Sequence, residues 1–205
     1  MYRFIKRIFD FCSSASLLLI ISPVFILLMI LVYRYIGRPV FFKQERTGKG
    51  MRRFNMIKFR TMTDKRDPDG NLLPNEQRQT RFGTWLRSTS LDELPELLNI
   101  IKGEMSVIGP RPLPPIYDDY YTTSELSRFL VRGGLITPDS VDSDPIITWD
   151  KQLAYEADYG TNLSCKKDMK IFFCVFHILF TRNKTNYGSF VREPLDVERK
   201  NYRNE

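Results

Sequence analysis

Histidine and cysteine are scarce in this sequence, which has one histidine and three cysteines. Cys12, Cys165 and Cys174 do not have the spacing of a metal site. Cys12 also lies in an apolar run, so we expect reduced thiols and no disulfide framework. His177 stands among apolar residues in FFCVFHILF without a metal-binding neighbour, and we interpret it as a packing or interfacial residue. These absences argue against a zinc site and a disulfide-stabilised fold.

Acidic residues are outnumbered by basic residues, 24 to 31, which gives a formal net charge of +7. A basic chain indicates an anionic partner, such as nucleic acid, phospholipid headgroups or a phosphorylated substrate. The basic residues flank an apolar segment and surround a carboxylate pair, and they do not form one basic helix or stripe. We therefore expect no nucleic-acid partner. The 205 residues have room for one soluble core of ordinary size.

Charge is absent from Phe11 to Tyr33, a run of 23 residues (33 − 11 + 1). About 20 apolar residues are enough to cross a bilayer. The run is too long for a cleaved signal peptide, and no small-residue cleavage site follows it. Basic residues flank both ends, so the positive-inside rule favours neither orientation. These residues are Arg3, Lys6 and Arg7 before the run, and Arg34, Arg38 and Lys43 after it.

Ser22 and Pro23 lie near the centre of this run and predict a helix break, because proline removes a backbone hydrogen bond and clashes with the preceding turn. A kinked transmembrane helix fits, and so does a broken helix that enters the membrane and returns to the same face. The second arrangement accounts for the basic residues at both ends, which would contact anionic headgroups. After Gly37 the composition becomes that of a soluble domain. We therefore predict a membrane segment, 1–37, and a catalytic or binding domain, 38–205.

The second domain has the pattern of a mostly helical α+β fold. PVFFKQ and RRFNMIKFRTM predict a β-hairpin, closed by the glycine-containing ERTGKGM. TDKRDPDGNLLPNEQ predicts a surface loop. Helices are predicted in FGTWLRSTS, in residues 92–102 ending at Gly103, in residues 117–131 and in KKDMKIFFCVFHILFTRNK. The apolar middle of the last helix suits either the membrane interface or a buried core. We expect the charged tail from Glu193 to be loose.

Asp92 and Glu93 stand side by side in SLDELPELLNIIKG and have two interpretations. They are the polar start of a helix, with Ser90 as the cap of a capping box, or they are a catalytic pair. Pro95 argues for a start at Asp92 or later, where the helix dipole favours ionised carboxylates. Nearby cations suit phosphate oxygens, beside a carboxylate that attacks phosphorus or holds a metal ion. These cations are Lys58, Arg60, Arg87 and Arg111.

Long segments of the chain resemble one protein family. They are the N-terminal KRIFDF with its Ser-Pro-broken apolar helix, PVFFKQERTGKGMRRFNMIKFRTM, TRFGTWLRSTSLDELPELLNIIKGEMSVIGPRP and the region of Arg128 and Arg132. They are similar to the bacterial sugar transferases, the monotopic polyprenol-phosphate phosphoglycosyl transferases that start glycan assembly on membrane lipids. The resemblance covers most of the chain. It implies a re-entrant N-terminal helix, contact with membrane lipids, and a place on the cytoplasmic face of the bacterial inner membrane.

The resemblance also implies a reaction and roles for single residues. The family transfers a sugar-1-phosphate from a nucleoside diphosphate sugar, usually a UDP-sugar, to undecaprenyl phosphate and releases UMP. Asp92 is the expected nucleophile, which forms a covalent phosphosugar intermediate. Glu93, together with Asp92, is expected to hold Mg²⁺. Lys58, Arg87 and Arg111 are expected to bind substrate phosphates, whereas Arg60 suits a structural role equally well. A homodimer is left open.

Residues 133–145 depart from the family pattern. Thr137 replaces a family glycine and Asp144 replaces a family arginine, with Asp139 and Asp142 nearby. The exchange of a cation for Asp144 changes the local charge by two units, so we expect weaker binding of an anion there. Three explanations stay open. The segment recognises an unusual donor; or it has lost donor binding, which leaves a membrane-attached partner or regulatory paralogue; or it serves packing and tolerates change.

Overall fold

The structure is a computed structural model and describes residues 1–142, 144, 147–181 and 192–200. It is a mostly helical α+β fold, as the sequence predicts, and its described strands form two small sheets. Within the described residues the α-helices are α1 (Tyr2–Ile20), α2 (Ser22–Tyr35), α3 (Asn75–Arg78), α4 (Arg81–Ser88), α5 (Glu96–Lys102), α6 (Trp149–Thr161), α7 (Cys165–Thr181) and α8 (Leu195–Lys200). The strands are β1 (Phe41–Thr47), β2 (Arg53–Phe59), β3 (Met105–Ile108) and β4 (Gly133–Ile136).

Internal contacts group the chain into two compact units, each built from more than one segment. Unit 1 comprises Met1–Asp10, Glu45–Phe54 and Gly103–Glu205, and unit 2 comprises Phe11–Gln44 and Asn55–Lys102. The predicted hairpin is present as β1 and β2. Its tip belongs to unit 1 and its base to unit 2. The predicted division at residue 37 concerns membrane and catalytic roles, and it stays a prediction.

The helix break lies where the sequence predicts it. Helix α1 ends at Ile20, α2 begins at Ser22, and the two helices are bent by 68°. Pro23 has no N–H for the carbonyl of Leu19, four residues earlier, and the Ser22 hydroxyl donates to that carbonyl instead, over 2.8 Å. Among the described residues no single helix has the length and apolarity needed to cross a membrane, whereas the bent pair together meets both requirements.

Helix α2 shares the core of unit 2 with the hairpin and α4. Its residues Leu28, Val32 and Ile36 pack in one cluster with Phe59 of β2 and Leu86 of α4. The side chains of α2 outside this cluster include several exposed apolar ones, which are Val24, Ile26, Leu27, Ile30 and Tyr33. One face of α2 therefore supports the elements that follow it in unit 2, and another face is left apolar and exposed.

Unit 1 contains a parallel pairing of β3 with β4 that the sequence did not predict. Met105 is opposite Gly133, and Ser106 is opposite Gly134. A Cβ atom on Gly134 would lie 2.1 Å from the backbone nitrogen of Gly109, so only glycine permits this approach. A Cβ on Gly133 would likewise lie 2.6 Å from Cγ of Pro112, so close packing around β4 accounts for both glycines.

Two predictions for unit 1 are wrong. Residues 117–131 form not one α-helix but two 3₁₀ segments, Pro115–Tyr120 and Glu125–Leu130. Thr122 separates them, because its N–H donates to the Glu125 carboxylate over 2.8 Å and its hydroxyl accepts from the Glu125 N–H over 3.4 Å. The tail from Glu193 was expected to be loose, but it is ordered up to Lys200. Leu195 of α8 is fully buried, and the Trp149 indole donates to the Glu193 carbonyl over 2.9 Å.

Other predictions concern α4, α7 and the thiols. The short helix predicted in FGTWLRSTS is α4, and the predicted apolar helix is α7 up to Thr181. His177 is exposed on α7, so its interpretation as a buried packing residue is wrong. Its interpretation as an interfacial residue stays a prediction. The three cysteines are free, as predicted.

We predict that Gly83→Ala destabilises unit 2. Alanine in place of a helical glycine ordinarily stabilises a helix by about 1 kcal/mol. At Gly83, however, a Cβ would lie 1.8 Å from the backbone oxygen of Thr61, so α4 has to move. We expect a lower free energy of unfolding, measured by urea denaturation of the purified protein. Ser88→Ala, at an exposed position of the same helix, is the control and should change it by less than about 0.5 kcal/mol. Equal stability of Gly83→Ala and the parent would contradict the close approach.

Candidate functional site

Lys58 lies between two carboxylates in unit 2. Its Nζ atom is 2.6 Å from Oε1 of Glu93 and 3.1 Å from Oε1 of Glu96. Glu93 is half-buried, whereas Glu96 is only 3% exposed. A buried carboxylate is expensive unless a cation or donors compensate it, so Lys58 is held at this place by charge. The structure thus brings together Lys58 and Glu93, two of the predicted site residues.

Asn99 of α5 ties this cluster to strand β2. Its Oδ1 accepts from the N–H of Ile57 over 3.0 Å, and its Nδ2 donates to the carbonyl of Asn55 over 2.8 Å. Asn99 is fully buried, so both bonds are protected from water. Because β2 carries Lys58 and α5 begins with Glu96, the two hydrogen bonds fix the spacing between the lysine and its carboxylates.

Asp92 lies in a 3₁₀ turn, Leu91–Glu93, and not in the first turn of an α-helix. Helix α5 begins only at Glu96, directly after Pro95, and it ends before Gly103, which has a φ of 86°. The prediction of one helix from 92 to 102 is therefore correct at its end and wrong at its start. Ser90 has a φ of 55° and caps nothing with its side chain. A non-glycine residue in this left-handed region is uncommon and often accompanies a functional site.

Burial raises the pKa of Asp92 above its ordinary value. The side chain belongs to a residue only 9% exposed, and desolvation disfavours the charged carboxylate. The charge of Lys58 opposes this shift, as does Arg87, whereas the neighbouring charge of Glu93 adds to it. The sequence predicted instead that a helix dipole would favour ionised Asp92. That prediction is wrong because the α-helix starts later and burial dominates.

Arg87 and Arg60 differ in what they can do. Arg87, in the last turn of α4, is exposed, and its Nε donates to the Thr61 hydroxyl over 2.9 Å. This contact orients the guanidinium but leaves other N–H groups for a ligand, because arginine has five donors. Arg60 is buried, donates to the carbonyl of Arg38 and pairs with Asp64. Of the two roles considered for Arg60, these contacts favour the structural one.

Arg111 belongs to unit 1, whereas the other four predicted site residues belong to unit 2. Its side chain is exposed, but its backbone is held on both sides. The N–H donates to Oε1 of Glu156 over 3.0 Å, and the carbonyl accepts from Nη2 of Arg128 over 2.6 Å. Arg128 and Glu156 are themselves a buried ion pair with a separation of 2.6 Å. This pair fixes the peptide groups from which Arg111 extends.

The atypical segment 133–145 is described except for residues 143 and 145. Asp142 accepts from the Tyr155 hydroxyl over 3.0 Å and lies 2.7 Å from the ammonium of Lys151, both on α6. The hydrogen bond from Lys151, followed by that from the backbone N–H of Asp144, lowers the pKa of Asp142 to about 2. Asp142 is therefore engaged in contacts to α6, which supports the packing explanation for this residue.

The sequence did not indicate Glu96 and Asn99 as part of the site. A signal for Glu96 was its spacing of three residues from Glu93, which places two carboxylates close on adjacent turns. Asn99 had none, because its partners lie on a strand more than 40 positions away. Among the described residues no group of three or more metal-ligating side chains is present.

Comparisons with known proteins point to one family. A family model described as bacterial sugar transferase matches residues 1–182. The uncharacterized sugar transferase EpsL of Bacillus subtilis (strain 168) is 41% identical over 167 residues, which are 82% of this chain and 83% of that protein. The exopolysaccharide production protein ExoY of Rhizobium meliloti (strain 1021) is 36% identical over 185 residues, which are 82% of each chain.

A third similar protein has a name that states a reaction. The UDP-glucose:undecaprenyl-phosphate glucose-1-phosphate transferase of Caulobacter vibrioides (strain ATCC 19089 / CIP 103742 / CB 15) is 33% identical over 176 residues. The match covers 81% of this chain and 66% of that protein.

We predict that Asp92→Asn is more stable than the parent at neutral pH. A carboxyl whose pKa is raised by folding stabilises the fold only below its unfolded pKa, and this contribution is lost as the pH rises through the folded pKa. Asparagine cannot ionise, so the gain should be largest at pH 7 and should vanish below about pH 4. The measurement is the free energy of unfolding at both pH values.

Asp64→Asn is the matched control of opposite sign. A hydrogen bond from Arg60 lowers the pKa of Asp64, so its carboxylate stabilises the fold above the unfolded pKa, and this is lost as the pH falls through the folded pKa. This variant should be less stable than the parent at pH 7. If Asp92→Asn is also less stable than the parent at pH 7, the raised pKa of Asp92 is refuted.

Proposed function

The chain belongs to the bacterial sugar transferase family, and we propose that it transfers a sugar-1-phosphate from a UDP-sugar to undecaprenyl phosphate, releasing UMP. The relatives support the class of reaction, since their names include sugar transferases and an undecaprenyl-phosphate glucose-1-phosphate transferase. The observation that carries the proposal is the buried carboxylate of Asp92 beside the Lys58–Glu93 pair. The sugar itself is not part of the proposal.

Asp92 has the environment of a nucleophile. Burial removes water from its carboxylate, which makes the ionised form more basic and more reactive. The positive charges of Lys58 and Arg87 oppose the rise of the Asp92 pKa and so favour this form. Both cations are also able to stabilise charge that develops on a phosphoryl group during its transfer.

The proposed reaction has two displacements at one phosphorus. A carboxylate oxygen of Asp92 attacks the β-phosphorus of the UDP-sugar, and a bond between phosphorus and oxygen forms as the bond to the bridging oxygen breaks. UMP leaves with that electron pair. A phosphate oxygen of undecaprenyl phosphate then attacks the same phosphorus, and the bond to Asp92 breaks. The products are undecaprenyl diphosphate sugar and the free Asp92 carboxylate.

The charges around Asp92 fit an additional cation. Lys58 contacts the carboxylates of Glu93 and Glu96, and Lys58 and Arg87 are the cations whose charges act on Asp92. A diphosphate adds further negative charge. Mg²⁺ is ordinarily bound by one or two carboxylates together with substrate phosphates. We propose that Asp92 and Glu93 hold Mg²⁺, which neutralises the diphosphate.

We further propose that the protein is monotopic, on the cytoplasmic face of the bacterial inner membrane. The bent pair of α1 and α2 has the length and composition of a re-entrant segment. Helix α7 carries a separate set of exposed apolar side chains, as expected for a helix in the membrane interface. These are Met169, Phe172, Phe173, Phe176 and Ile178. Such a position lets a water-soluble nucleotide sugar and a membrane-embedded lipid reach one enzyme.

We predict that the protein in nanodiscs releases UMP from one member of a panel of UDP-sugars, given undecaprenyl phosphate and Mg²⁺. Asp92→Asn should lower this rate by about 10⁴-fold or more, because the nucleophile is lost. Intact-protein mass spectrometry without the lipid should show the mass of one phosphosugar on the parent and none on the variant. Activity of the variant at the parental rate would exclude the covalent route.

The alternative function has its own outcome in this experiment. A folded parent that releases UMP from no donor would favour the catalytically impaired, membrane-attached paralogue. In that case Asp144→Arg, which restores the residue of the family pattern in the atypical segment, is the first variant to make.

We predict that Glu93→Gln raises the Mg²⁺ concentration for half-maximal UMP release by at least about 10-fold, because the loss of even an outer-shell partner of a metal ligand costs about 10- to 100-fold in affinity. Glu96→Gln is the matched control. It removes the other carboxylate partner of Lys58 without changing the Asp92–Glu93 pair, so its Mg²⁺ requirement should stay at the parental value. Equal shifts in both variants would assign the effect to Lys58 and not to the metal.

A further inference from the structure

Arg192 lies after the residues 1–182 that match the family model, and three contacts near the start of α6 fix its guanidinium group. Its Cζ atom lies 3.6 Å from the centre of the Trp149 ring. Its Nη1 donates to the carbonyl of Ile147 over 2.9 Å, and its Nη2 donates to Oε1 of Gln152 over 2.8 Å. A planar cation that stacks on an aromatic ring and donates from two nitrogens has one preferred orientation. Arg192 is therefore a well-oriented donor to Gln152.

The Gln152 amide connects Arg192 to a buried carboxylate. Arginine has only donors, so the amide oxygen of Gln152 faces Arg192. The amide Nε2 donates to Oε1 of Glu156, one turn later on α6, over 3.0 Å. Both side chains are buried, with Gln152 4% and Glu156 0% exposed. Arg192 and Glu156 require the same orientation of the amide, which therefore relays the position of the guanidinium to the carboxylate.

The carboxylate of Glu156 is the last link to a predicted phosphate-binding residue. Its Oε1 also accepts from the backbone N–H of Arg111 over 3.0 Å, and its Oε2 lies 2.6 Å from Nη2 of Arg128. A buried carboxylate lies where its donors hold it, because each lost donor costs free energy away from water. Burial lowers the pKa of Arg192, and Arg111 and Glu156 are among the charges that act on it.

We propose that Arg192 is a positioning residue for the binding of the donor diphosphate. It acts on Arg111 through the side chains of Gln152 and Glu156, and all four residues belong to unit 1. This role rests on the proposed function and on the expectation that Arg111 binds substrate phosphates. The hydrogen bonds from Arg192 to the Arg111 peptide are continuous, so a change at one end displaces the other.

A second role for Arg192 has a different consequence. Its guanidinium covers Trp149, a buried member of a core cluster with Leu153 and Leu195. If Arg192 served only to cover this cluster, its loss would lower the stability of the fold and leave the affinity for the donor unchanged. A variant of Gln152 separates the two roles, because it breaks the relay while the guanidinium stays on Trp149.

The test is the dissociation constant of UDP, measured by isothermal titration calorimetry on the full-length protein in nanodiscs with Mg²⁺. All variants carry Asp92→Asn, so that no phosphate can be transferred to residue 92. Arg111→Gln should raise the dissociation constant about tenfold or more, because a charge-assisted contact with phosphate is lost. Arg192→Gln should raise it by about three- to tenfold. Addition of Arg192→Gln to Arg111→Gln should raise it no further, because Arg192 acts only through Arg111.

Two further variants supply an independent measurement and a control. Gln152→Met keeps the approximate shape of the side chain and removes its amide, so it should weaken UDP binding as Arg192→Gln does. It also decides the question if Arg192→Gln fails to fold. Lys200→Gln removes one positive charge from an exposed position of α8 and should leave the dissociation constant unchanged. The thermal unfolding midpoint of each variant, measured without UDP, reports the cost to stability separately.

Three results would overturn the positioning role. Unchanged affinity in Arg192→Gln and Gln152→Met, beside a lower affinity in Arg111→Gln, would leave Arg192 as a cover of Trp149. A further loss when Arg192→Gln is added to Arg111→Gln would mean direct contact between Arg192 and the ligand. An equal loss in Lys200→Gln would mean general electrostatic attraction.

Failure of the proposed function gives a different pattern. If the protein with Asp92 intact releases UMP from no donor while the UDP affinities follow the expected pattern, the proposed reaction is excluded and the positioning role stands. If Asp92→Asn does not bind UDP, or if Arg111→Gln binds it equally well, the positioning role falls together with the phosphate-binding role of Arg111.

Discussion

The hydrogen bonds of Asn99 to the backbone of β2 are the constraint on which the candidate site depends. They join α5 to β2 on either side of Met56, so that Lys58 meets Glu93 and Glu96 at fixed distances. An asparagine side chain has both a donor and an acceptor, and a strand backbone offers both within a few ångströms. Replacement of Asn99 by an apolar residue would leave the N–H of Ile57 and the carbonyl of Asn55 without these hydrogen bonds. A neutral side chain, that of Asn99, therefore determines where the charged groups around Asp92 lie.

Two features of the candidate site lower the stability of the fold. Asp92 is buried although burial disfavours its charge, and Ser90 adopts a left-handed backbone conformation two residues earlier. Both features cost free energy, and both concern the turn that carries the proposed nucleophile. The turn is anchored on the core of α2, β2 and α4, because Leu91 and Leu94 on either side of Asp92 pack against it.

Local patterns in the sequence predicted the elements that depend on local physics. The hairpin, helix α4 and the break before Pro23 follow from alternation, turn residues and proline chemistry, and all are present. The start of α5 and the 3₁₀ segments near Thr122 were not predicted, because side-chain hydrogen bonds decide them. The charged pair at Asp92 and Glu93 was predicted, but Glu96 and the burial of Asp92 were not. The contact of Glu96 with Lys58 and the burial of Asp92 depend on residues that are distant in the sequence.

The two hydrogen bonds that hold the backbone of Arg111 reduce the entropy lost when a ligand binds its side chain. Its peptide groups are held by Glu156 and Arg128, which are almost completely buried, while its side chain is exposed. Immobilising a long side chain costs up to about 2 kcal/mol, and fixing each residue of a loop backbone costs about 1–2 kcal/mol more. A ligand that engages Arg111 restricts only the rotamers of one side chain, since folding has already ordered the backbone that carries it.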